Sequence, residues 1–173
     1  MSELAPIFLV GPMGAGKTTI GRHLARLLGK SFVDLDQEIE QGCGADIAWI
    51  FDVEGEAGFR KREAAMLREV AGRNNMVIAT GGGVVLDGEN RALLKSSGTV
   101  VYLAVAVSVL CNRMQQDTKR PLLQVDDKKA VIEGIVKERE PLYKEIADIV
   151  FDGHKKTPAA AAQELAQLIG QQV

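Results

Sequence analysis

Cysteine is nearly missing from this chain: only Cys43 and Cys111 occur in 173 residues. They lie far apart and lack metal-type spacing, which argues against a disulfide framework and suits reduced thiols in a cytosol. Net charge is equally scarce, since 21 Lys and Arg stand against 23 Asp and Glu, leaving -2. No overall basic field exists to draw in nucleic acid or an anionic membrane, so any anion must be bound by local geometry. No run approaches the roughly 20 apolar residues of a membrane helix. The opening "MSELAPIFLVG" has no basic flank before its short apolar run, as a secretory signal would. Internal repeats, low-complexity tracts and Pro/Ser-rich linkers are absent too. With 46% hydrophobic residues the chain reads as one folded domain over residues 1–173, expected in the cytoplasm.

What is present is an alternation. Short apolar runs at 7–10 ("IFLV"), 32–36 ("FVDLD"), 76–80 ("MVIAT"), 99–105 ("TVVYLAV") and 148–152 ("DIVFD") read as strands. Buried parallel strands have this continuous apolar character. Helical stripes separate them, as at Ile20, Leu24, Leu27 and Leu28, and again at Ala161, Leu165, Leu168 and Ile169. Strand and helix in turn imply right-handed crossovers and an α/β, doubly wound sheet. Two stretches exceed that plan. Residues 37–73 hold more helix than one crossover needs, and "DTKRPLLQVDD" at 117–127 is polar, charged and broken by proline. They read as an inserted acceptor-binding subdomain (about 35–73) and a mobile lid (about 113–127).

Between the first strand and the first helix stands "GPMGAGKT", in which Gly11, Gly16, Lys17 and Thr18 satisfy G-x-x-x-x-G-K-S/T. Glycines let the backbone curl so that its N–H groups converge, and the helix N-terminus adds partial positive charge. A side chain at Gly14 or Gly16 would obstruct a phosphate's approach. Lys17 is placed to reach β- and γ-phosphates and the Thr18 hydroxyl to ligate Mg²⁺, while Thr19 is less committed and fits a packing role. Nucleotide binding is the firmest inference. "DVEG" at Asp52 has the D-x-x-G form of GTPases, but no guanine-reading motif follows and the stretch reads as helical.

Other residues gather at the same sheet edge. "DLD" puts Asp34 and Asp36 at the end of the second strand, where ligands bind in open α/β sheets. A carboxylate beside a triphosphate requires a metal, which suits Asp34 to Mg²⁺ and Asp36 to an acceptor hydroxyl. Alternatively Asp36 caps the next helix and Asp34 is solvated. In "GFRKREAAMLREV" the apolar stripe of Phe59, Met66, Leu67 and Val70 carries Glu63 and is bordered by Arg60, three residues away and able to pair with it. Arg139 follows Ile132, Ile135 and Val136 on one face and so turns inward. Inward arginines need an anion, and a carboxylate matches the guanidinium fork; structural ion pairs would serve equally. "ATGGG" supplies Gly81, Gly82 and Gly83, either for close approach of a ligand oxygen or for a tight turn. Lys119 and Arg120 offer a lid cation for transferred phosphoryl charge, or a solvated surface charge. Arg113 is a lesser candidate for the nucleotide. His23 and His154 show no partner pattern, and Trp49 reads as core.

The set "GPMGAGKT", "DLD", "GFRKRE", "TGGG", "KRPLL" and "EREPLY", in this order, closely resembles the shikimate kinase family over essentially the whole chain. The resemblance implies a P-loop NTPase of nucleoside-monophosphate-kinase-like, three-layer α/β/α build, with a five-stranded parallel sheet, acceptor-binding subdomain and lid. It assigns the nucleotide to Gly14, Ala15, Gly16, Lys17, Thr18, Thr19 and the lid's Arg120. Mg²⁺ falls to Thr18 with Asp34 nearby, and shikimate to Asp36, Arg60, Gly82 and Arg139. Asp36, Lys17 and Arg120 become the catalytic set. The implied reaction is ATP-dependent phosphorylation of the 3-hydroxyl of shikimate to shikimate 3-phosphate and ADP, a step toward chorismate and the aromatic amino acids. A monomer acting on small molecules, without nucleic acid or membrane, is expected. Residue chemistry alone reaches only a kinase of a small, hydroxylated, anionic acceptor, and adenine contacts stay unassigned.

Overall fold

A computed structural model describes residues 4–115, 127–153 and 155–172. Five parallel strands, β1 (Ile7–Val10), β2 (Ser31–Asp34), β3 (Met76–Ala79), β4 (Thr99–Leu103) and β5 (Ile149–Phe151), form one sheet in the order β2-β3-β1-β4-β5. β1 lies at the centre, with Leu9 opposite Ala79 of β3 and Val101 of β4. The chain leaves β1 for an edge on one side and later crosses to the other, so the crevice at the C-terminal end of β1 is the switch point where ligands bind in such sheets.

Alternation along the strands builds two cores. Phe8, Val10, Ile78, Val100 and Tyr102 face α2 (Leu35–Cys43), α3 (Ile47–Ala71), α4 (Gly88–Ser97) and α6 (Lys128–Ile146). Ile7, Leu9, Val77, Val101 and Leu103 face α1 (Lys17–Leu28) and α7 (Pro158–Gly170). Helices on both faces explain why the strands carry apolar residues without alternation. A smaller cluster of Leu110, Met114, Ile132 and Val136 joins α5 (Val107–Met114) to α6. No helix among the described residues is long and apolar enough to cross a membrane.

Three local expectations need correction. β2 stops at Asp34 and α2 begins at Leu35, so Asp36 occupies a helical first turn instead of a strand end. Asp34, not Asp36, is the cap, accepting the Gln37 N–H at 3.2 Å; such a cap contributes about 1 kcal/mol. Trp49 is 49% exposed, because the helix capped by Asp46 turns Ile50 inward and leaves Trp49 on the far side. Leu27, assigned to the buried stripe of α1, is 51% exposed, whereas Ile20 and Leu24 are buried.

Two glycines provide a test of packing. A Cβ on Gly98 would overlap the Pro6 carbonyl oxygen, which the Thr99 N–H holds at 3.0 Å beside β1. Gly134 sits in α6 with nothing within 4 Å of its would-be Cβ. Gly98→Ala is expected to destabilise by about 1–3 kcal/mol. Gly134→Ala should stabilise by about 0.5–1 kcal/mol. Urea unfolding of both variants measures this, and the two midpoints should move in opposite directions.

Candidate active site

The loop after β1 turns on backbone conformations open to glycine: Gly14 has φ +81° and Gly16 φ +94°. At Gly14 a Cβ would also lie 2.8 Å from the Met114 Cε. Gly16 is the N-cap of α1, and no side chain caps that helix and no acid occupies its first turn. Its first N–H groups therefore point into the loop, the arrangement that binds phosphate. Lys17, 8% exposed, donates from Nζ to the Gly11 carbonyl at 2.6 Å and the Pro12 carbonyl at 2.8 Å. The ammonium thus lies folded across the loop. Arg113, on α5, donates from Nη1 to the Gly14 carbonyl at 2.6 Å and ties the loop to the helix preceding residues 116–126.

Beside the loop, the Thr18 hydroxyl donates to Asp34 Oδ2 at 2.6 Å. This is a hard-oxygen pair of the kind Mg²⁺ accepts, though a pair only. Among the described residues no group of three His, Cys, Asp or Glu could hold a metal. The residues fit an ion completed by phosphate oxygens and water, as Mg²⁺ in nucleotide sites usually is. Thr19 does not pack; it is exposed at the mouth of the cleft.

Opposite lies a second group, organised by the three glycines after β3. Thr80 anchors them, its N–H and hydroxyl both donating to the Leu9 carbonyl, at 3.1 and 2.9 Å. A Cβ on Gly81 would stand 2.9 Å from Glu63 Oε2 and 3.1 Å from Asp36 Oδ1. One on Gly82 would be 3.5 Å from Arg139 Nη1, and one on Gly83 would overlap the Arg60 guanidinium. The turn alternative holds as well, since the Val84 N–H closes onto the Gly81 carbonyl at 3.2 Å. The glycines therefore make a turn that side chains of α2 and α3 approach so closely that a Cβ at Gly81 or Gly83 would displace them, while Arg139 of α6 stands at ordinary contact distance from Gly82. A cleft of ≈1160 Å³ extends from the Gly14–Thr19 loop to these residues.

The two arginines differ in their partners. Arg60 Nη1 donates to Glu63 Oε1 at 2.9 Å, its Nη2 lies 3.3 Å from Glu56, and its guanidinium stands 5.2 Å from the Phe59 ring centre. Arg139 is 4% exposed; its Nε has no hydrogen-bond partner, and no carboxylate among the described residues forms an ion pair with it. Burying a guanidinium without a close counter-anion is costly, so an anion entering the cleft would be stabilised there. Glu63 is 1% exposed. Burial pushes its carboxyl above the usual range, against the pull of Arg60 and Arg139 and with the help of Asp36.

Comparison with known proteins identifies the family. The family model described as "Shikimate kinase" matches residues 13–170. A shikimate kinase of Histophilus somni (strain 2336) is 51% identical over 170 residues, covering 98% of this chain and 97% of that protein. One from Pasteurella multocida (strain Pm70) is 53% identical with the same coverage. The solved shikimate kinase from Acinetobacter baumannii, in complex with shikimate, superposes with a TM-score of 0.95 at 47% identity, over 98% of this chain and 94% of that one. The chain belongs to the shikimate kinase family. It is accordingly an ATP-dependent kinase with the three-layer P-loop fold. A gluconokinase from Sinorhizobium meliloti 1021, at 19% identity and a TM-score of 0.60, shares the fold alone.

In this shikimate kinase fold Gly14 to Thr19, Asp34, Asp36, Arg60, Gly82 and Arg139 all line one cleft. Lys119, Arg120 and most of the stretch at 113–127 lie outside the described residues, as does His154. Three residues of the site were not singled out from sequence for a role there: Glu63 beyond its spacing to Arg60, Thr80, and Tyr143. A readable signal existed for two of them. Glu63 interrupts an apolar stripe, and Tyr143 follows Arg139 by one helical turn on the same buried face.

The Glu63 carboxyl yields a pH prediction. Its pKa in the folded chain lies above the ordinary 4.5, so between these two values the native state binds more protons than the unfolded one. Stability from this group is then fullest below 4.5 and is lost as pH rises through the folded value. Glu63→Gln keeps an oxygen for Arg60 but does not titrate. Unfolding free energies measured from pH 4 upward should show wild type losing ground to E63Q as pH rises; the opposite slope would mean that the charged form is favoured.

Proposed function

We propose that the chain phosphorylates the 3-hydroxyl of shikimate with ATP, giving shikimate 3-phosphate and ADP on the route to chorismate and the aromatic amino acids. The observation that carries this reading is Arg139: a buried guanidinium that forms no ion pair with a carboxylate among the described residues, beside Gly82, one loop away from the phosphate cradle. A small organic acid supplies the missing anion, and its hydroxyl then lies toward the nucleotide.

In this reading the N–H groups from Gly14 to Thr19 hold the β- and γ-phosphates. Lys17 leaves its loop carbonyls for phosphate oxygens, and Arg120 adds positive charge from the lid. Mg²⁺ is held by Thr18 with Asp34 and offsets phosphate charge when bound. Arg60 and Arg139 grip the carboxylate of the acceptor. Asp36, in the first turn of α2, orients the attacking hydroxyl and takes its proton late, because a loose phosphoryl transition state needs little early deprotonation. Positioning and electrostatics then carry most of the rate. Residues 35–73 act as the acceptor-binding subdomain and 113–127 as the lid whose closure excludes water, a competing acceptor. The enzyme works as a monomer in the cytoplasm.

A coupled assay of ADP release decides between acceptors. Turnover is expected with shikimate and not with gluconate or nucleoside monophosphates; ADP formed with those and not with shikimate would overturn the assignment. Arg139→Ala removes a charged hydrogen-bonding group from the acceptor alone. Its shikimate KM should rise roughly 10- to 100-fold, with the ATP KM nearly unchanged. Equal increases in both would assign Arg139 to structure. Lys17→Ala should abolish turnover while the circular dichroism spectrum stays native.

A further inference from the structure

Tyr143 is fully buried, and its hydroxyl donates to the Gly82 carbonyl oxygen from behind the glycine turn. Its ring stacks on Tyr102 of β4, with centroids 5.0 Å apart and planes inclined by 26°. The backbone of the central sheet thereby fixes where the phenol stands. Arg139 stands one turn earlier on the same buried face of α6, its Nη1 3.5 Å from where a Gly82 Cβ would lie; burial pushes the phenol's pKa up, while the Arg139 charge pulls it down. The phenol oxygen therefore holds the glycine whose backbone borders the cleft, beside a guanidinium that forms no ion pair with a carboxylate among the described residues.

We infer that Tyr143 is a positioning residue for the acceptor's carboxylate, setting the Gly82–Gly83 peptide and the Arg139 guanidinium in one fixed relation. The geometry explains how. A trans peptide directs its N–H opposite to its carbonyl, so pinning the Gly82 oxygen also fixes the heading of the Gly83 N–H. No cis peptide interrupts this stretch. Glycine lacks the side chain that would hold such a peptide plane, and three in a row flex freely unless tethered. Because Arg139 shares α6 with Tyr143 and lies beside Gly82, holding that peptide against the helix also holds it in relation to the guanidinium. Tyr143 is not among the residues lining the cleft and acts through Gly82. The inference rests on the assignment of Arg139 and Gly82 to the acceptor.

The test compares Tyr143→Phe with Tyr102→Phe, each of which deletes one hydroxyl and keeps the ring. In Y143F the shikimate KM should rise roughly 5- to 30-fold while the ATP KM stays within about twofold. Y102F should change neither. Discrimination between shikimate and its neutral carboxamide as competing ligands should also narrow in Y143F, which a merely structural loss would not produce. Because the chain has two tyrosines, Y102F grown with 3-fluorotyrosine carries a single label at position 143. Its ¹⁹F resonance should move on saturation with shikimate, a readout that survives even if Y143F does not fold. An unmoved resonance, parallel shifts in both KM values, or equal effects in Y102F would overturn the inference. Failure of the wild type to use shikimate at all would instead overturn the functional reading.

Discussion

Two glycine loops pressed together set the dimensions of everything else in this protein. The loop after β1 and the turn after β3 leave adjacent strands, and a Cβ at Gly82 would stand 3.4 Å from the Met13 nitrogen and 3.6 Å from the Gly11 carbonyl oxygen. The two backbones thus stand within van der Waals reach of a single side-chain carbon at that seam. Phosphoryl transfer needs the attacking oxygen within near-contact distance of the phosphorus, and separations larger by an ångström lose orders of magnitude in rate. Parallel pairing of β1 with β3 places both loops at one edge, where their backbones come close together.

Charge balance follows from that closeness. A triphosphate and an organic acid side by side would repel strongly, yet the chain has a net charge of -2. Local groups must therefore supply the compensation: the uncapped start of α1, Lys17, and two guanidinium groups. These are not equivalent. Arg60 is already held by Glu63 and Glu56, which costs it some attraction for a ligand but fixes its direction. Arg139 lacks such a partner among the described residues and pays its desolvation in advance, a form of preorganisation. Glu63 keeps this cluster of cations tolerable in the free protein, and its raised pKa reflects how deeply it is buried.

Legibility in the sequence follows the same physics. The phosphate loop could be read because its backbone demands glycine at defined spacings, so chemistry and pattern coincide. The inward turn of Arg139 could be read because helical periodicity places it after Ile132 and Val136. The roles of Asp34 and Asp36 within α2 could not, since they depend on whether the chain turns helical one residue earlier or later, and propensity alone does not decide that. Trp49 misled for a related reason: an aromatic residue in an apolar stretch reads as core until the cap at Asp46 sets the phase of the helix. Contacts between elements distant in sequence, such as Glu63 with Gly81 or Tyr143 with Gly82, leave no local trace.

The shape of the cleft beside the glycine turn depends on one further break in regularity. Within α3, Gly55 has φ +72° and ψ 177°, so the element is two helices joined at a kink. Across it Arg62 holds Glu54 by two hydrogen bonds, of 2.8 and 2.7 Å, and keeps that carboxyl below its usual range. At Gly58 a Cβ would lie 2.5 Å from the Glu54 Cβ, so the fold-back itself requires glycine there. The second half of α3 carries Arg60 and Glu63 on the core, while the first half brings Ile47 and Phe51 over the cleft. A straight helix of the same length would carry its first half, with Ile47 and Phe51, away from the glycine turn and leave that end of the cleft unwalled. The kink is thus what allows one continuous segment to supply both the cationic floor and the apolar wall of the same pocket.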